Sequence, residues 1–130
     1  MQILDSHAVF VYLEKEPGHE KVAGAFTHAA CSGKKLLMTT VNWGEVYYIT
    51  LRELGEKAAE AVLSLLSTLP LEIMPVDGRL AKQAGTYKAS KRMSYADCFA
   101  AALAKLTKSD LFTGDREFRE VEKEIRIVWV

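Results

Sequence analysis

Four carboxylates stand out by their settings: Asp5 in QILDSHAVFVYL, Glu45 in TTVNWGEVYYI, Asp97 in SYADCFAAALA and Asp115 in LFTGDREF. Asp5, Glu45 and Asp115 come just after short apolar runs, and Asp97 lies in the first turn of a helical pattern. Capping explains each of them singly. Asp5 and Asp115 suit N-caps, and Asn42 to Glu45 and Ser94 to Asp97 have the spacing of a capping box, worth about 1 kcal/mol per cap. Capping does not explain four acids on one edge of a small fold, because like charges brought close must raise a pKa or find a cation. Apart from Arg116, no Lys or Arg lies within these motifs, and helix dipoles offset only part of the repulsion. A divalent metal ion is the natural counter-charge. Oxygen donors without His or Cys suit Mg²⁺ or Mn²⁺ rather than Zn²⁺.

Whether the acids meet depends on the elements that carry them. QIL, LLMT, LEIMPV, DLFT and IRIVWV read as short apolar strands. Helical spacing runs between them: SHAVFVYLEKE up to the break at Pro17-Gly18, HEKVAGAFTHAACSG with a Gly33 C-cap, and a hairpin of NWGEVYYITLREL and EKAAEAVLSLLSTL joined at Gly55. GRLAKQAGTYKASK and SYADCFAAALAKLTK add two more helices. Strands alternating with helices predict an α/β fold, a three-layer sandwich of helices around a mostly parallel five-stranded sheet. In such a sheet the carboxyl ends of the strands and the N-termini of the following helices share one edge, where ligands bind. The four acids fall at that edge. No repeat, linker or low-complexity segment divides the chain, so one domain over residues 1–130 is expected.

Composition narrows the class. The chain has 130 residues, 49% hydrophobic and 26% charged, enough for one domain with a real core. No apolar run spans a bilayer and the N-terminus does not read as a signal peptide, so a cytoplasmic protein without membrane contact is expected. Cys31 and Cys98 are too few for a disulfide framework and read as small core residues. Seventeen basic residues balance seventeen acidic ones, so no global charge draws in a polyanion. Locally, Arg79, Lys82, Lys88, Lys91 and Arg92 form a basic stretch without acids; it reads either as the solvated face of a helix or as a guide for a polyanion. His7, His19 and His28 have no metal-ligand spacing and read as surface or helix residues. Trp43, Tyr47 and Tyr48, at helical spacing, fit packing or a dimer face better than base stacking.

ILDSHAVFVYL, TTVNWGEVYYI, SYADCFAAALA and LFTGDREF, all in this order over essentially the whole chain, resemble the acidic motifs of the PIN-domain nucleases, particularly the small VapC-type toxins of bacteria and archaea. The resemblance implies a strand order of 3-2-1-4-5, a Mg²⁺ or Mn²⁺ site and hydrolysis of RNA phosphodiester bonds. It also implies a toxin role with a possible protein antitoxin. Asp5 and Asp97 are the expected principal metal ligands. Glu45 and Asp115 would hold a second ion, position water or accept its proton, with Ser6 and Thr113 orienting the carboxylates. Arg116, Lys88, Lys91 and Arg92 are the candidate RNA contacts. The apolar surplus of the Asn42–Leu69 hairpin points to a homodimer. Two rival readings remain: a receiver-like signalling domain with Asp77 as phosphate acceptor, and a catalytically silent PIN-like binding module.

Overall fold

A computed structural model describes residues 1–130. The element order is β1 (Gln2–Leu4), α1 (Ser6–Leu13), α2 (His19–Ser32), β2 (Leu36–Thr39), α3 (Thr40–Leu54), α4 (Glu56–Ser67), β3 (Leu71–Met74), α5 (Gly78–Ser90), α6 (Tyr95–Thr107), β4 (Asp110–Thr113), a 3₁₀ segment (Arg116–Val121) and β5 (Ile127–Trp129). The five strands pair in parallel throughout, in the order β3-β2-β1-β4-β5. This is the three-layer α/β/α sandwich expected from the alternation.

The period-2 geometry of a strand divides the core. Ile3, Leu37 and Leu111 face a cluster that includes Phe99, Leu103 and Phe118 from α6 and the 3₁₀ segment. Their neighbours Leu4, Met38 and Phe112 face the opposite cluster, with Val9, Phe26 and Val46 from α1, α2 and α3. The run Ala100, Ala101, Ala102 and Ala104 is wholly buried, and small side chains let α6 lie close against the sheet. Ile3 and Leu4 have no exposed surface, and at about 1.5–3 kcal/mol for each buried side chain they anchor β1 firmly. That anchoring holds the next residue, Asp5, inside the fold.

Two helix boundaries differ from expectation. α3 starts at Thr40 with Thr39 as its N-cap, whose Oγ1 accepts from the Asn42 amide at 3.0 Å. Asn42 is therefore not the cap, and Glu45 lies one turn inside the helix, clear of any capping box. α1 ends at Leu13, before Pro17 is reached, with Lys15 in the left-handed region. Gly55, at φ 90, serves as both the end of α3 and the start of α4, a conformation that favours glycine. Cys98 is buried, but Cys31 is exposed, because the buried stripe of α2 is Val22, Ala25, Phe26 and Ala29.

Candidate active site

Asp5 leaves the carboxyl end of β1 and caps α1, its Oδ1 accepting from the Ala8 amide at 2.8 Å. Its Oδ2 accepts from Thr113 Oγ1 at 2.5 Å, and the same Thr113 oxygen accepts from the Asp115 amide at 3.0 Å. One hydroxyl at the end of β4 thus ties Asp5 to the backbone of Asp115. Ser6 donates from Oγ to Glu45 Oε1 at 3.0 Å, so α1 and α3 are joined in the same way. Asn42 Nδ2 also donates to Glu45 Oε1, at 3.0 Å, and to the Ala96 carbonyl at 3.2 Å, which ties α3 to the start of α6.

Asp97 is buried in the first turn of α6, where Ser94 Oγ accepts from its amide at 3.2 Å. A full capping box would have the Asp97 carboxylate reach back to the Ser94 amide. Instead that amide donates to Glu117 Oε2 at 3.2 Å, leaving the Asp97 carboxyl group turned to other uses. Asp115 caps the 3₁₀ segment through the Glu117 amide at 2.9 Å. One carboxylate oxygen from each of Asp97, Asp115 and Glu117 lies within 4.8 Å of the others. An open cleft of about 420 Å³ runs over them, lined also by Ser6, His7, Glu45 and Ser94.

The electrostatics record the crowding. Burial, with smaller pushes from the Asp115 and Glu45 charges, raises Asp5 from 3.8 to about 7 despite its hydrogen bonds from Thr113 and Ala8. Asp97 is raised too, first by burial, then by its hydrogen bond to Glu117, then by the Asp115 and Asp5 charges. The same hydrogen bond holds Glu117 below the usual glutamate value. The two carboxyl groups are thus pushed in opposite directions, Asp97 up and Glu117 down. A carboxylate set this close, short of positive charge, is an oxygen-donor site of the kind that takes a hard divalent cation.

Glu117 was not singled out from the sequence. It lies in the mixed-charge run that follows Asp115, and only its two-residue offset on a tight turn could have marked it. His7, read as a surface residue, is exposed but lines the cleft, and its ring occupies the notch left by Gly114. The cationic candidates disperse. Lys88 Nζ donates to the Met93 carbonyl at 2.8 Å, and its charge is among those that lower Glu117. Lys91 pairs with Glu124 at 3.4 Å. Arg92 is exposed, its amide held by Glu120 at 2.8 Å. Arg116 lines a separate hollow with Arg119 and Glu122 and does not line the acidic cleft. Asp77 is an exposed cap of α5, accepting from the Leu80 amide at 2.8 Å, outside the cluster.

The family model for the PIN domain matches residues 3–124. The chain belongs to the PIN-domain family. Membership sets aside the receiver reading built on Asp77. No curated protein matches the sequence. Among solved structures, the DNA-bound VapBC complex from Salmonella typhimurium is similar with a TM-score of 0.79 at 20% identity, covering 98% of this chain and 96% of that one. VapBC2 from Rickettsia felis, bound to a promoter DNA fragment, gives 0.78 at 13% identity over the same shares. VapC20 from Mycobacterium tuberculosis, a toxin that cleaves the sarcin-ricin loop, gives 0.69 at 14%, covering 92% and 93%. At these identities the likeness is one of fold. No helix of this PIN domain is long and apolar enough to cross a membrane.

Proposed function

We propose that this PIN domain, acting as one unit over residues 1–130, is a Mg²⁺- or Mn²⁺-dependent endoribonuclease and the toxin of a toxin–antitoxin pair. The carrying observation is the convergence of Asp97, Asp115 and Glu117 above the buried Asp5. The donor set fits a hard cation: all oxygen, with two of its acids pushed upward until a positive charge joins them. Asp97, Asp115 and Glu117 hold the ion together with Asp5, whose charge already acts on Asp97. When bound, the ion supplies Lewis acidity at a phosphate oxygen and makes water more acidic.

The chain's own groups do the rest. Glu45, anchored through Oε1 by Ser6 and Asn42, keeps Oε2 free to take the proton of an attacking water. Thr113 holds Asp5 and Asp115 in register, so the acidic groups keep one geometry as a strand enters. Lys88, whose charge acts on Glu117, is the candidate cation for a phosphodiester; Arg92, Lys91 and Arg116 do not line the acidic cleft. The hairpin of α3 and α4 leaves Tyr48, Leu51, Leu54 and Leu65 exposed, a surface for a second copy of the chain or for an antitoxin. The Salmonella and Rickettsia neighbours are themselves VapBC complexes, which supports a protein partner here.

The test is cleavage of single-stranded RNA with and without Mn²⁺, run beside thermal unfolding over the same metal range. Metal-dependent cleavage and a raised midpoint are expected. No cleavage and no shift at millimolar metal would favour the silent binding module instead.

A further inference from the structure

The opposite edge of the sheet has a different chemistry. A hollow of about 310 Å³ opens where β1 and β2 begin, lined by Lys34, Lys35, Lys108, His28, Ser32 and Asp110 among others. Strand register makes it: Gln2 pairs with Asp110, and Leu36, next to the two lysines, starts β2 beside β1. None of Lys34, Lys35 and Lys108 pairs with an acid, whereas Asp110 is engaged by Arg126 at 3.5 Å. A second hollow of about 340 Å³ adjoins it through Lys108 and Asp110; its own Lys105 pairs with Glu124 at 3.6 Å and adds no free charge.

An ordinary explanation is that these lysines neutralise the carbonyl ends of α2 and α6, which finish at Ser32 and Thr107. Magnitudes decide against that as the whole account. Each helix C-terminus carries about half a negative charge, so two of them offset only about one lysine. With Asp110 occupied by Arg126, roughly two positive charges stay uncompensated inside a concave, partly walled site. In a chain of zero net charge this is a local surplus. Three lysines and an imidazole around one hollow offer several donors to the several oxygens of a phosphate, while the Ser32 hydroxyl is spent on the Ala29 carbonyl at 3.2 Å.

We propose that the hollow between Lys34, Lys35 and Lys108 binds phosphate groups, on the edge of the sheet opposite the acidic cleft. The phosphate is either one link of a nucleic-acid strand or a free phosphate, and the chemistry of capture is the same. The site requires no metal and is independent of the nuclease reading, so loss of cleavage leaves it intact.

The experiment follows amide resonances of the metal-free full chain during titration with inorganic phosphate, then with a short 2′-O-methyl RNA that cannot be cleaved through its 2′-hydroxyl. Saturable shifts at Lys34, Lys35 and Lys108 are expected with phosphate, and their loss in Lys34→Gln/Lys35→Gln/Lys108→Gln. If the natural source is a strand, RNA moves the same amides. The triple variant then shallows the slope of log affinity against log salt by about 2, since each phosphate contact on a single strand contributes about 0.7. If the source is free phosphate, that slope is unchanged while the phosphate shifts persist in the unsubstituted chain. Absence of saturable shifts at these residues with both probes overturns the proposal. Should the triple variant unfold, Lys35→Gln alone carries the test, with a slope change of about 0.7.

Discussion

The two edges of one parallel sheet carry opposite charge for the same structural reason. At the carboxyl edge, Asp5, Asp97 and Asp115 sit in the first turns or caps of α1, α6 and the 3₁₀ segment, where the positive ends of helices tolerate them. At the amino edge, Lys34 and Lys108 sit where α2 and α6 end. Up to that point both edges obey helix electrostatics. They part in burial. Asp5 and Asp97 are buried and raised in pKa, whereas the three lysines are exposed. A charge kept exposed costs the fold little, but a buried carboxylate costs several kcal/mol unless something answers it. The acidic edge is therefore the one that holds tension for a ligand to relieve.

The largest expected effect breaks the acidic side of this contrast. Asp97→Asn keeps the shape but removes a charge, as does Asp5→Asn, and Asn caps about as well as Asp. If the acids serve only the fold, cleavage survives. If they hold metal, RNA cleavage at saturating Mn²⁺ falls well beyond the roughly 10–100-fold loss typical of an outer-sphere partner. Thr113→Val, which removes the hydroxyl bridging Asp5 and Asp115, is expected inside that smaller range. Near-normal rates in both Asn variants would sink the nuclease reading.

Stability against pH comes next in size. Because the folded Asp5 pKa lies above its unfolded value, its stabilising contribution is fully present below about 3.8 and is lost as pH rises through about 7. At about 1.4 kcal/mol per unit, the loss is up to about 4 kcal/mol without metal. Asp97 adds to it in the same direction, and Glu117, lowered, opposes it. The metal-free midpoint should therefore fall between pH 5 and 8, more gently in Asp5→Asn, and Mn²⁺ should restore it at pH 8. A metal-free midpoint that climbs with pH, equally in both proteins, would contradict the buried-acid account.

How much of this was legible in the sequence follows from what each residue answers to. Strand and helix periods are local, so the order of elements and the four acids at strand ends could be read directly. Glu117 could not, because an exposed glutamate in a mixed-charge run looks like any solvated residue until the 3₁₀ turn sets it against Asp97. Asn42 was misread as a cap because Thr39 reads as the last residue of a strand, although it caps the helix as well. The lysine hollow is non-local altogether: Lys35 and Lys108 are brought together by strand order, which no short segment encodes.

A smaller effect tests the wall of the cleft. A Cβ on Gly114 would collide with the His7 ring and lie 2.9 Å from the Val130 carbonyl oxygen. Gly114→Ala must displace the imidazole and press on the Val130 backbone, together at about 1–3 kcal/mol for overpacking. His7→Ala in the same chain should return part of that loss, since the flexible partner is then gone and only the backbone contact remains. Equal midpoints for Gly114→Ala with and without His7→Ala would show that the ring does not fill the notch.

The smallest effect belongs to the basic edge and sharpens the comparison from that side. Lys108 has φ 52 and ψ 47 at the end of α6, a left-handed cap that L-residues adopt at a cost of about 1 kcal/mol. Lys108→Gly removes that strain but adds freedom to the unfolded chain, worth about 0.5–1 kcal/mol in the other direction. It also deletes a cation beside a helix C-terminus, worth a further 0.3 kcal/mol or so at an exposed site. The three contributions nearly cancel, so the unfolding midpoint should shift by less than the equivalent of about 1 kcal/mol. Unlike Asp5→Asn, the variant should respond to pH and Mn²⁺ as the parent does, because Lys108 is exposed and lies at the far edge of the sheet from the acids. A loss of 2 kcal/mol or more would mean that Lys108 is locked into the packing of α6 and that the basic edge carries structural tension of its own.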